Sequence, residues 1–397
     1  MSNLPSTQSR KKRRAGVISA IAGLAAAGLA AGVAAERYVM NKARRDPDDP
    51  YHDEPFGRLH ADRIRTVASS DGVSVHVETV GTRYEPGDGG ADAPTATVVF
   101  VHGYCLDQGT FHFQRRALTE STLPVRAVFY DQPGHGRSSE IPEAEHDIDS
   151  LAETLYAVIG QTAPSGPLIL VGHSMGAMTI LAFARRHAEL FASRVTAVAL
   201  LSTSSGGLSE VTFGAPRVLA RARRVVLPVL GRAAALTPGA IDRTRKIVGD
   251  LAWMLTRRYG FATERPSPSL VSYVEEMNTN TPIRTVIGFS RTLLEHDERG
   301  SLRGLANVPV LIISGSDDQF TPAAHAVELA EALPHATLII IPDTGHIALL
   351  EKPADTTEPL LGMIASVVDT ITANAVDEST PRRKPWRRKK TENGNER

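Results

Sequence analysis

Hydrophobic residues in the middle of the chain form short runs that alternate very little with polar residues. Six runs rich in Val, Ile and Leu occupy residues 97–101, 125–130, 168–171, 195–201, 310–313 and 337–341. Strands that are apolar on both faces are typical of a parallel sheet covered by helices on each side. Two further runs, 64–68 and 73–80, flank an Asp-Gly pair and predict an antiparallel hairpin ahead of that sheet.

Segments with helical periodicity lie between these runs, at residues 147–161, 175–187 and 322–333. Alternating strands and helices predict the α/β class, with a mainly parallel central sheet flanked by helices. The connection from 202 to 307 is far longer than a usual crossover, and it has helical patterning without a strong strand. We therefore expect an inserted helical cap at residues 206–307, between a first part of the core at 63–205 and a second part at 308–370.

Charge is unevenly distributed along the 397 residues, although 44 basic side chains balance 44 acidic ones. Residues 1–50 contain 9 Lys and Arg against 4 Asp and Glu, and residues 371–397 contain 8 against 4. The remaining 27 basic and 36 acidic side chains make the body acidic, which argues against a nucleic-acid partner. The single cysteine, Cys105, excludes an internal disulfide and a cysteine-rich zinc site.

An uncharged apolar run at residues 15–35 follows five consecutive basic residues at 10–14. Its roughly 21 residues would form about 31 Å of helix, which matches the hydrocarbon thickness of a bilayer. The run predicts a transmembrane signal anchor with a basic cytoplasmic tail at 1–14 and the folded domain outside the cytoplasm. The alternative is a cleaved signal peptide and a secreted protein.

The segments next to the predicted domain are rich in residues that break regular structure or carry positive charge. Residues 36–62 contain many Pro and Asp and are expected to form a linker. Residues 371–397 contain a basic stretch with Trp386 and are expected to form a disordered tail. An alternative role for this tail is attraction to anionic lipid headgroups.

A Gly-x-Ser-x-Gly pattern lies between a predicted strand and a predicted helix. Gly172 and Gly176 flank Ser174, which follows the strand at 168–171 and precedes the helix at 175–187. This context is typical of a nucleophile on a strained strand-to-helix turn, where side chains in place of the glycines would collide with neighbouring elements. Serine is a weak nucleophile near neutral pH, so Ser174 requires a base and a group that orients the base.

Two polar loops supply candidates for these roles. Residues 314–322 follow the strand at 310–313 and contain Asp317 and Asp318, and residues 342–346 follow the next strand and end at His346. Open α/β sheets place their sites at the carboxyl ends of the strands. Serine, then an aspartate, then histidine is the chain order expected for such a triad.

These motifs resemble those of the α/β-hydrolase superfamily over about residues 63–370. The resemblance rests on His-Gly-Tyr at 102–104, DQPGHGRS at 131–138, the Ser174 motif, and the two loops described above. It implies the α/β-hydrolase fold and aligns the triad acid with Asp318, leaving Asp317 as the alternative. It also implies an oxyanion hole made by the backbone amides of Tyr104 and Met175, with Gly103 and His102 in support.

The resemblance implies a serine hydrolase that cleaves a carboxylic ester of a lipid, an acylglycerol or a small molecule through an acyl-enzyme. Two alternatives are a binding or signalling module without turnover, and an acyltransferase or haloperoxidase-like enzyme with the same triad. No phosphate-binding loop or zinc-ligand spacing is present, so no metal or other cofactor is expected. The sequence specifies neither the substrate nor the oligomeric state.

Overall fold

The computed structural model describes residues 48–69, 72–81, 94–141, 146–211, 260–263 and 266–379. The predicted anchor at 15–35 and the basic stretch at 381–390 lie outside the described residues. Among the helices of the described part, none is both long and apolar enough to cross a membrane.

One eight-stranded sheet forms the centre of the fold, in the order β1-β2-β4-β3-β5-β6-β7-β8. β1 pairs antiparallel with β2, and β2 pairs antiparallel with β4, whereas every later pairing is parallel. The predicted α/β class and the antiparallel start of the sheet are therefore confirmed. The strands are β1 Arg63–Ala68, β2 Ser74–Val80, β3 Ala96–Val101, β4 Val125–Tyr130, β5 Leu168–His173, β6 Val195–Leu201, β7 Val310–Gly315 and β8 Thr337–Ile341.

Helices cover both faces of this sheet. Helix α2 (Ile148–Thr162), which connects β4 to β5, begins after Asp147, whose side chain accepts a hydrogen bond from Ser150 N at 2.7 Å and so caps the helix. The helices are α1 His112–Glu120, α2 Ile148–Thr162, α3 Met175–Arg186, α4 Ala188–Arg194, α5 Pro268–Asn280, α6 Ile283–Glu295, α7 Ala323–Ala332, α8 Ala348–Glu351 and α9 Pro353–Ser379.

The continuous hydrophobic strands are explained by burial on both sides. Val99 and Val101 of β3 pack in the core that includes α2, α3 and α7. Val98 and Phe100 point to the opposite face and pack in the core that includes α1 and α9. Because both faces are covered, alternation of polar and apolar residues would leave polar groups in a core. The same two layers hold the carboxyl ends of the strands in fixed relative positions.

The long connection between β6 and β7 is helical where it is described, as predicted for the cap. It contains α5 and α6 and the short 3₁₀ turns Leu208–Glu210 and Arg299–Leu305. Its described residues contain no strand, only an isolated bridge between Gly206 and Asp297. Ser267 caps α5 by accepting a hydrogen bond from Leu270 N at 3.3 Å. Residues 212–259 of the predicted cap lie outside the described residues.

Residues 48–62, which we name the strap, pack on the domain, although the sequence predicts a linker over 36–62. Asp49 accepts hydrogen bonds from Ser267 Oγ at 2.5 Å and Ser269 N at 3.0 Å, at the start of α5. Glu54 accepts from His112 Nε2 at 2.7 Å on α1, and the ring of Phe56 stacks on Tyr273 of α5 at 4.6 Å. The acidic residues that suggested a linker are thus used as helix caps and ion-pair partners.

The last helix also differs from the predicted boundary at residue 370. α9 continues to Ser379, so nine residues of the predicted disordered tail are helical. Its first half is amphipathic and buries Leu360, Ile364 and Val368 against the sheet. Residues 372–375 of the same helix are exposed.

Candidate active site

The predicted site residues meet at one edge of the sheet. Ser174 follows β5, Asp318 follows β7, and His346 follows β8. Because these strands are parallel neighbours or near neighbours, their carboxyl ends lie on the same side. Each residue is more than nine-tenths buried, with exposures of 9% for Ser174, 4% for Asp318 and 8% for His346.

Ser174 occupies a backbone conformation that side chains rarely adopt. Its φ of 52° and ψ of −118° place it in the left-handed half of the Ramachandran map, where a non-glycine residue is strained. Its N–H donates to Leu201 O at 2.9 Å, and its carbonyl accepts from Thr203 Oγ1 at 2.9 Å. Both bonds anchor the turn to the end of β6 and hold the strained conformation.

The two glycines around Ser174 are required by close contacts with neighbouring elements. A Cβ atom on Gly176 would lie 2.0 Å from Val101 O of β3. A Cβ atom on Gly172 would lie 2.5 Å from Ala177 Cα of α3. Real Cβ atoms do not approach other atoms so closely, so a side chain at either position forces the strand and helix apart. The structure thus has, at both glycines, the close approach to a neighbouring element that the sequence predicts.

His346 bridges the serine and the aspartate. Its Nε2 lies 2.9 Å from Ser174 Oγ, and its Nδ1 lies 2.8 Å from Asp318 Oδ2. An ionised carboxylate only accepts hydrogen bonds, so the Nδ1–H donates to Asp318. In the neutral ring Nε2 then has a free lone pair, which accepts the Ser174 hydroxyl proton.

Asp318 is surrounded by donors that keep it charged. Oδ1 accepts from Phe320 N at 2.8 Å and Thr321 N at 2.9 Å, and Oδ2 accepts from Thr321 Oγ1 at 2.8 Å as well as from the imidazole. Burial by itself raises the pKa of the Asp318 carboxyl, but the electrostatic interaction and hydrogen bond with His346, together with the two hydrogen bonds from Thr321, outweigh burial and lower the pKa. The carboxylate is therefore ionised at neutral pH.

Asp317, the alternative acid, has a different environment. Its side chain is exposed, and its Oδ2 accepts a hydrogen bond from Ser316 Oγ at 2.6 Å. The aspartate that accepts the hydrogen bond from His346 Nδ1 is Asp318. The structure thus places the residue implied by the resemblance next to the imidazole.

Two other buried histidines near the serine are held as neutral structural groups. His102 donates from Nδ1 to Gly103 O at 2.8 Å, and its Nε2 accepts from Gln132 N at 2.7 Å. His173 donates from Nε2 to His346 O at 3.1 Å. Burial lowers the pKa of His102 well below its ordinary value and lowers the pKa of His173 to about 3. Neither ring is placed as His346 is, between a hydroxyl and a carboxylate.

The loop predicted to form part of the oxyanion hole lies directly against the serine. A Cβ atom on Gly103 would lie 3.2 Å from Ser174 Cβ and 2.8 Å from His173 Nδ1, so only glycine fits this approach. Met175 is the first residue of α3, and its N–H therefore has no acceptor inside the helix. The Tyr104 hydroxyl donates to Val286 O in α6 and connects this loop to the cap.

Cys105 is adjacent to this loop but is not activated. Its backbone has a φ of 58°, and burial raises the pKa of its thiol to about 12. A thiol with so high a pKa is protonated at neutral pH and is a poor nucleophile. Ser174, by contrast, has the His346 ring at hydrogen-bonding distance from its hydroxyl.

Several residues that orient the site have no recognisable sequence signal. Gln132 donates from Nε2 to His102 O at 2.6 Å, and Thr179 Oγ1 of α3 donates to its Oε1 at 3.3 Å. Thr321 contacts the Asp318 carboxylate, as described above, and Glu351 accepts from Gly345 N at 2.7 Å, beside the histidine. Only the position of Thr321 inside the Asp318 loop hints at its role from sequence.

The described residues include no group of three or more His, Cys, Asp or Glu side chains that could hold a metal ion. The histidines near the serine are engaged with backbone groups or with Asp318, as the preceding contacts show. The arrangement at this edge is suited to proton transfer from a serine hydroxyl to an imidazole whose ring is held by a carboxylate.

Comparison with known proteins gives similar sequences among esterases and peroxidases. The chain is 27% identical to a pimeloyl-(acyl-carrier protein) methyl ester esterase of Chromobacterium violaceum, over 65% of this chain and 90% of that protein. It is also 27% identical to a non-heme chloroperoxidase of Streptomyces lividans, over 76% of this chain and 99% of that protein.

Solved structures share the fold. A thermophilic esterase from Thermogutta terrifontis superposes with a TM-score of 0.57 at 21% identity, covering 77% of this chain and 99% of that chain. At this identity the likeness shows the fold alone. The family model described as alpha/beta hydrolase fold matches residues 96–353, which include the serine, the aspartate and the histidine. The chain therefore belongs to the α/β-hydrolase fold family.

Proposed function

We propose that this protein is a serine hydrolase that cleaves carboxylic esters of lipids, acylglycerols or small molecules. The observation that supports this most directly is the His346 ring, which lies 2.9 Å from Ser174 Oγ and 2.8 Å from Asp318 Oδ2. The similarity to a methyl ester esterase supports the ester substrate class. Ser174 is the nucleophile of the proposed reaction, His346 the base, and Asp318 the orienting acid.

In the first half of the reaction, Ser174 Oγ attacks the ester carbonyl carbon while His346 Nε2 takes the hydroxyl proton. The imidazolium that forms is stabilised by the Asp318 carboxylate, which already accepts the Nδ1–H. The backbone amides of Met175 and Tyr104 are the proposed donors to the developing oxyanion. His346 then returns the proton to the leaving alcohol, and the acyl-enzyme remains.

Water completes the reaction in the second half. His346 removes a proton from water, which attacks the acyl carbon, and the protonated ring returns the proton to Ser174 as the acid leaves. His102 and His173 are unsuited to this exchange because burial lowers the pKa of both rings, so that neither readily accepts a proton. One base therefore serves both halves.

Labelling with a fluorophosphonate probe, together with hydrolysis of p-nitrophenyl esters, tests this proposal. We expect the wild-type protein to be labelled and active, and Ser174→Ala to lose labelling and at least a thousandfold in kcat. Ser193→Ala, an exposed serine on α4, is the matched control and is expected to behave like the wild type. A folded wild-type protein that is not labelled, or equal labelling of Ser174→Ala, contradicts the proposal and favours a binding module.

The acyl-enzyme could also be resolved by an acceptor other than water. The similarity to a chloroperoxidase over 99% of that protein's length favours including peroxide among the acceptors. The test measures how the product divides between free acid, a new ester and a peracid when alcohol or peroxide is added. If free acid is the main product when water and the added acceptor have equal thermodynamic activity, the result supports the hydrolase. A new ester or a peracid as the main product favours the alternatives.

The location of the protein is proposed from the sequence alone. The apolar run at residues 15–35 supports a single-pass anchor with the catalytic domain outside the cytoplasm, with secretion as the alternative. Fractionation of cells tests this proposal. Protein that stays in the membrane after a carbonate wash supports the anchor, and release of the protein contradicts it.

A further inference from the structure

The loop that contains His346 packs against residues 260–263 of the cap. Ile347 N donates to Gly260 O at 3.0 Å. A Cβ atom on Gly345 would lie 2.6 Å from Gly260 O and 2.8 Å from Ala262 N. Thus the residues immediately before and after His346 are both in backbone contact with this segment. Phe261 is buried in the same apolar cluster as Ile347.

Glu351 joins these two segments with one carboxylate. Its Oε2 accepts a hydrogen bond from Gly345 N at 2.7 Å. Its Oε1 accepts from Ala262 N at 3.0 Å and from Thr263 N at 3.1 Å. The side chain is half-buried at the end of the short helix α8, five residues after the base. Three backbone donors from two distant parts of the chain therefore converge on it.

We propose that Glu351 is a positioning residue for the reaction proposed above, on which this inference rests. It holds the His346 loop at the position where the imidazole reaches Ser174, and it fixes that position relative to residues 260–263 of the cap. Both carboxylate oxygens are needed because each accepts from a different segment. Glu351 acts through the backbone and is not in hydrogen-bonding contact with Ser174 or Asp318.

This role predicts a particular kinetic signature. Catalysis depends steeply on the geometry of the base, and displacements of about 1 Å cost about a hundredfold in rate. The binding of substrate depends on other surfaces. A loss at Glu351 should therefore lower kcat and leave KM nearly unchanged, whereas partial unfolding would lower the number of active sites and not the rate at each site.

The experiment compares Glu351→Gln with the wild type, with active sites counted by probe titration. Glutamine keeps the size of the side chain but has one acceptor oxygen, so either Gly345 N or the pair of amides at 262 and 263 faces an NH₂ group. We expect kcat for a p-nitrophenyl ester to fall ten- to a hundredfold, KM to stay within threefold, and the fluorophosphonate labelling rate to fall with kcat. Glu358→Gln, an exposed glutamate on α9, is the matched control and should match the wild type.

The outcomes separate this inference from the proposed function. If the wild type is labelled and active and Glu351→Gln has the same kcat and labelling rate per site, the positioning role is wrong and the serine hydrolase stands. If the wild type itself is inactive and unlabelled, the proposed function fails, and the role of Glu351 fails with it. Equal losses in kcat and in substrate affinity would also overturn the positioning role.

A second variant decides the matter if Glu351→Gln does not fold. Gly345→Ala leaves the carboxylate in place but introduces a Cβ atom at 2.6 Å from Gly260 O, which pushes the His346 loop away from the cap segment. We expect the same loss of kcat with KM retained. Wild-type kcat in Gly345→Ala would overturn the inference.

Discussion

His346 differs from the other buried histidines near it in the group that accepts its ring N–H. His102 and His173 donate to backbone carbonyls, and burial lowers the pKa of both rings. His346 donates to a carboxylate that is itself held by three further donations, two from backbone amides and one from a hydroxyl. The same residue type is thus an inert structural group or a candidate base according to its hydrogen-bond partner.

Thr321 offers a test of how the carboxylate is held. Its hydroxyl donates to Asp318 Oδ2 at 2.8 Å and lies 3.4 Å from His346 Nδ1. Thr321→Val preserves shape but removes this donor, so the acid is less firmly oriented. We expect kcat/KM for ester hydrolysis to fall about tenfold, since a buried hydrogen bond to a charged group contributes about 1.5 kcal/mol.

The control for this variant is Thr321→Ser, which keeps the hydroxyl and should stay within threefold of the wild type. Steady-state kinetics of the two variants distinguish the hydroxyl from the methyl group. Equal losses in the serine and valine variants would show that packing, and not the hydrogen bond to Asp318, is what matters at this position.

The sequence allowed the candidate nucleophile and base to be predicted, but not the residues that hold them in position. Ser174 and His346 are identifiable because each lies in a short motif at the end of a hydrophobic run. Thr321 and Glu351 act through hydrogen bonds to residues whose nearness depends on tertiary structure. Glu351, for example, meets Ala262 across 89 positions in the sequence, and no local pattern encodes that contact.

Strands were the easiest elements to predict because the sheet is buried on both faces. β4, β6 and β8 begin and end at the residues expected from their hydrophobic runs. The strap was the element least visible in the sequence, because its Pro and Asp residues are typical of linkers. The strap is held in place by partners in α1 and at the start of α5, such as His112 and Ser267, and these partners are distant from the strap in the sequence.

The buried charge cluster on β2 gives a prediction about pH. Glu78 accepts from Arg115 at 2.6 Å, from Arg137 at 2.8 Å and from His76 at 3.0 Å. Burial by itself raises the pKa of Glu78, but these hydrogen bonds and the two Arg charges lower it to about 2 from an ordinary 4.5. Because the folded pKa is depressed, the stabilisation is present above pH 4.5 and is lost as the pH falls towards 2.

We therefore expect Glu78→Gln to lower the free energy of unfolding by about 3 kcal/mol at pH 7, and the difference from the wild type to shrink steadily below about pH 4.5. Urea unfolding at pH 7 and at pH 3 measures this difference. Glu120→Gln, an exposed glutamate at the end of α1, is the control and should show no such dependence. A difference that is constant with pH would show that Glu78 does not provide the titrating charge.

Across the whole molecule, the strap connects the core to the cap. It contacts α1 through Glu54 and α5 through Asp49, and Phe56 packs between Phe113 of α1 and Tyr273 of α5. The cap helix is thereby fixed to the core from the N-terminal side of the domain. Residues 48–62 are thus part of the folded unit.

Phe56→Ala tests this connection. Removal of a half-buried ring from an aromatic cluster should lower the free energy of unfolding by about 2 kcal/mol. Ile64→Ala is the control because Ile64 is 62% exposed, and its loss should change stability by less than about 0.5 kcal/mol. Denaturant unfolding of both variants provides the comparison. If the two midpoints are equal, the strap does not stabilise the domain.

The order of the site residues along the chain has a consequence for synthesis. Ser174 lies before the cap, and Asp318 and His346 lie after it, on loops that follow β7 and β8. In a nascent polypeptide, Ser174 is therefore synthesised 172 residues before His346, the residue proposed to activate it. A chain truncated after Ser174 and before His346 would keep the hydroxyl but lack the imidazole proposed to activate it, and we expect it to be unreactive.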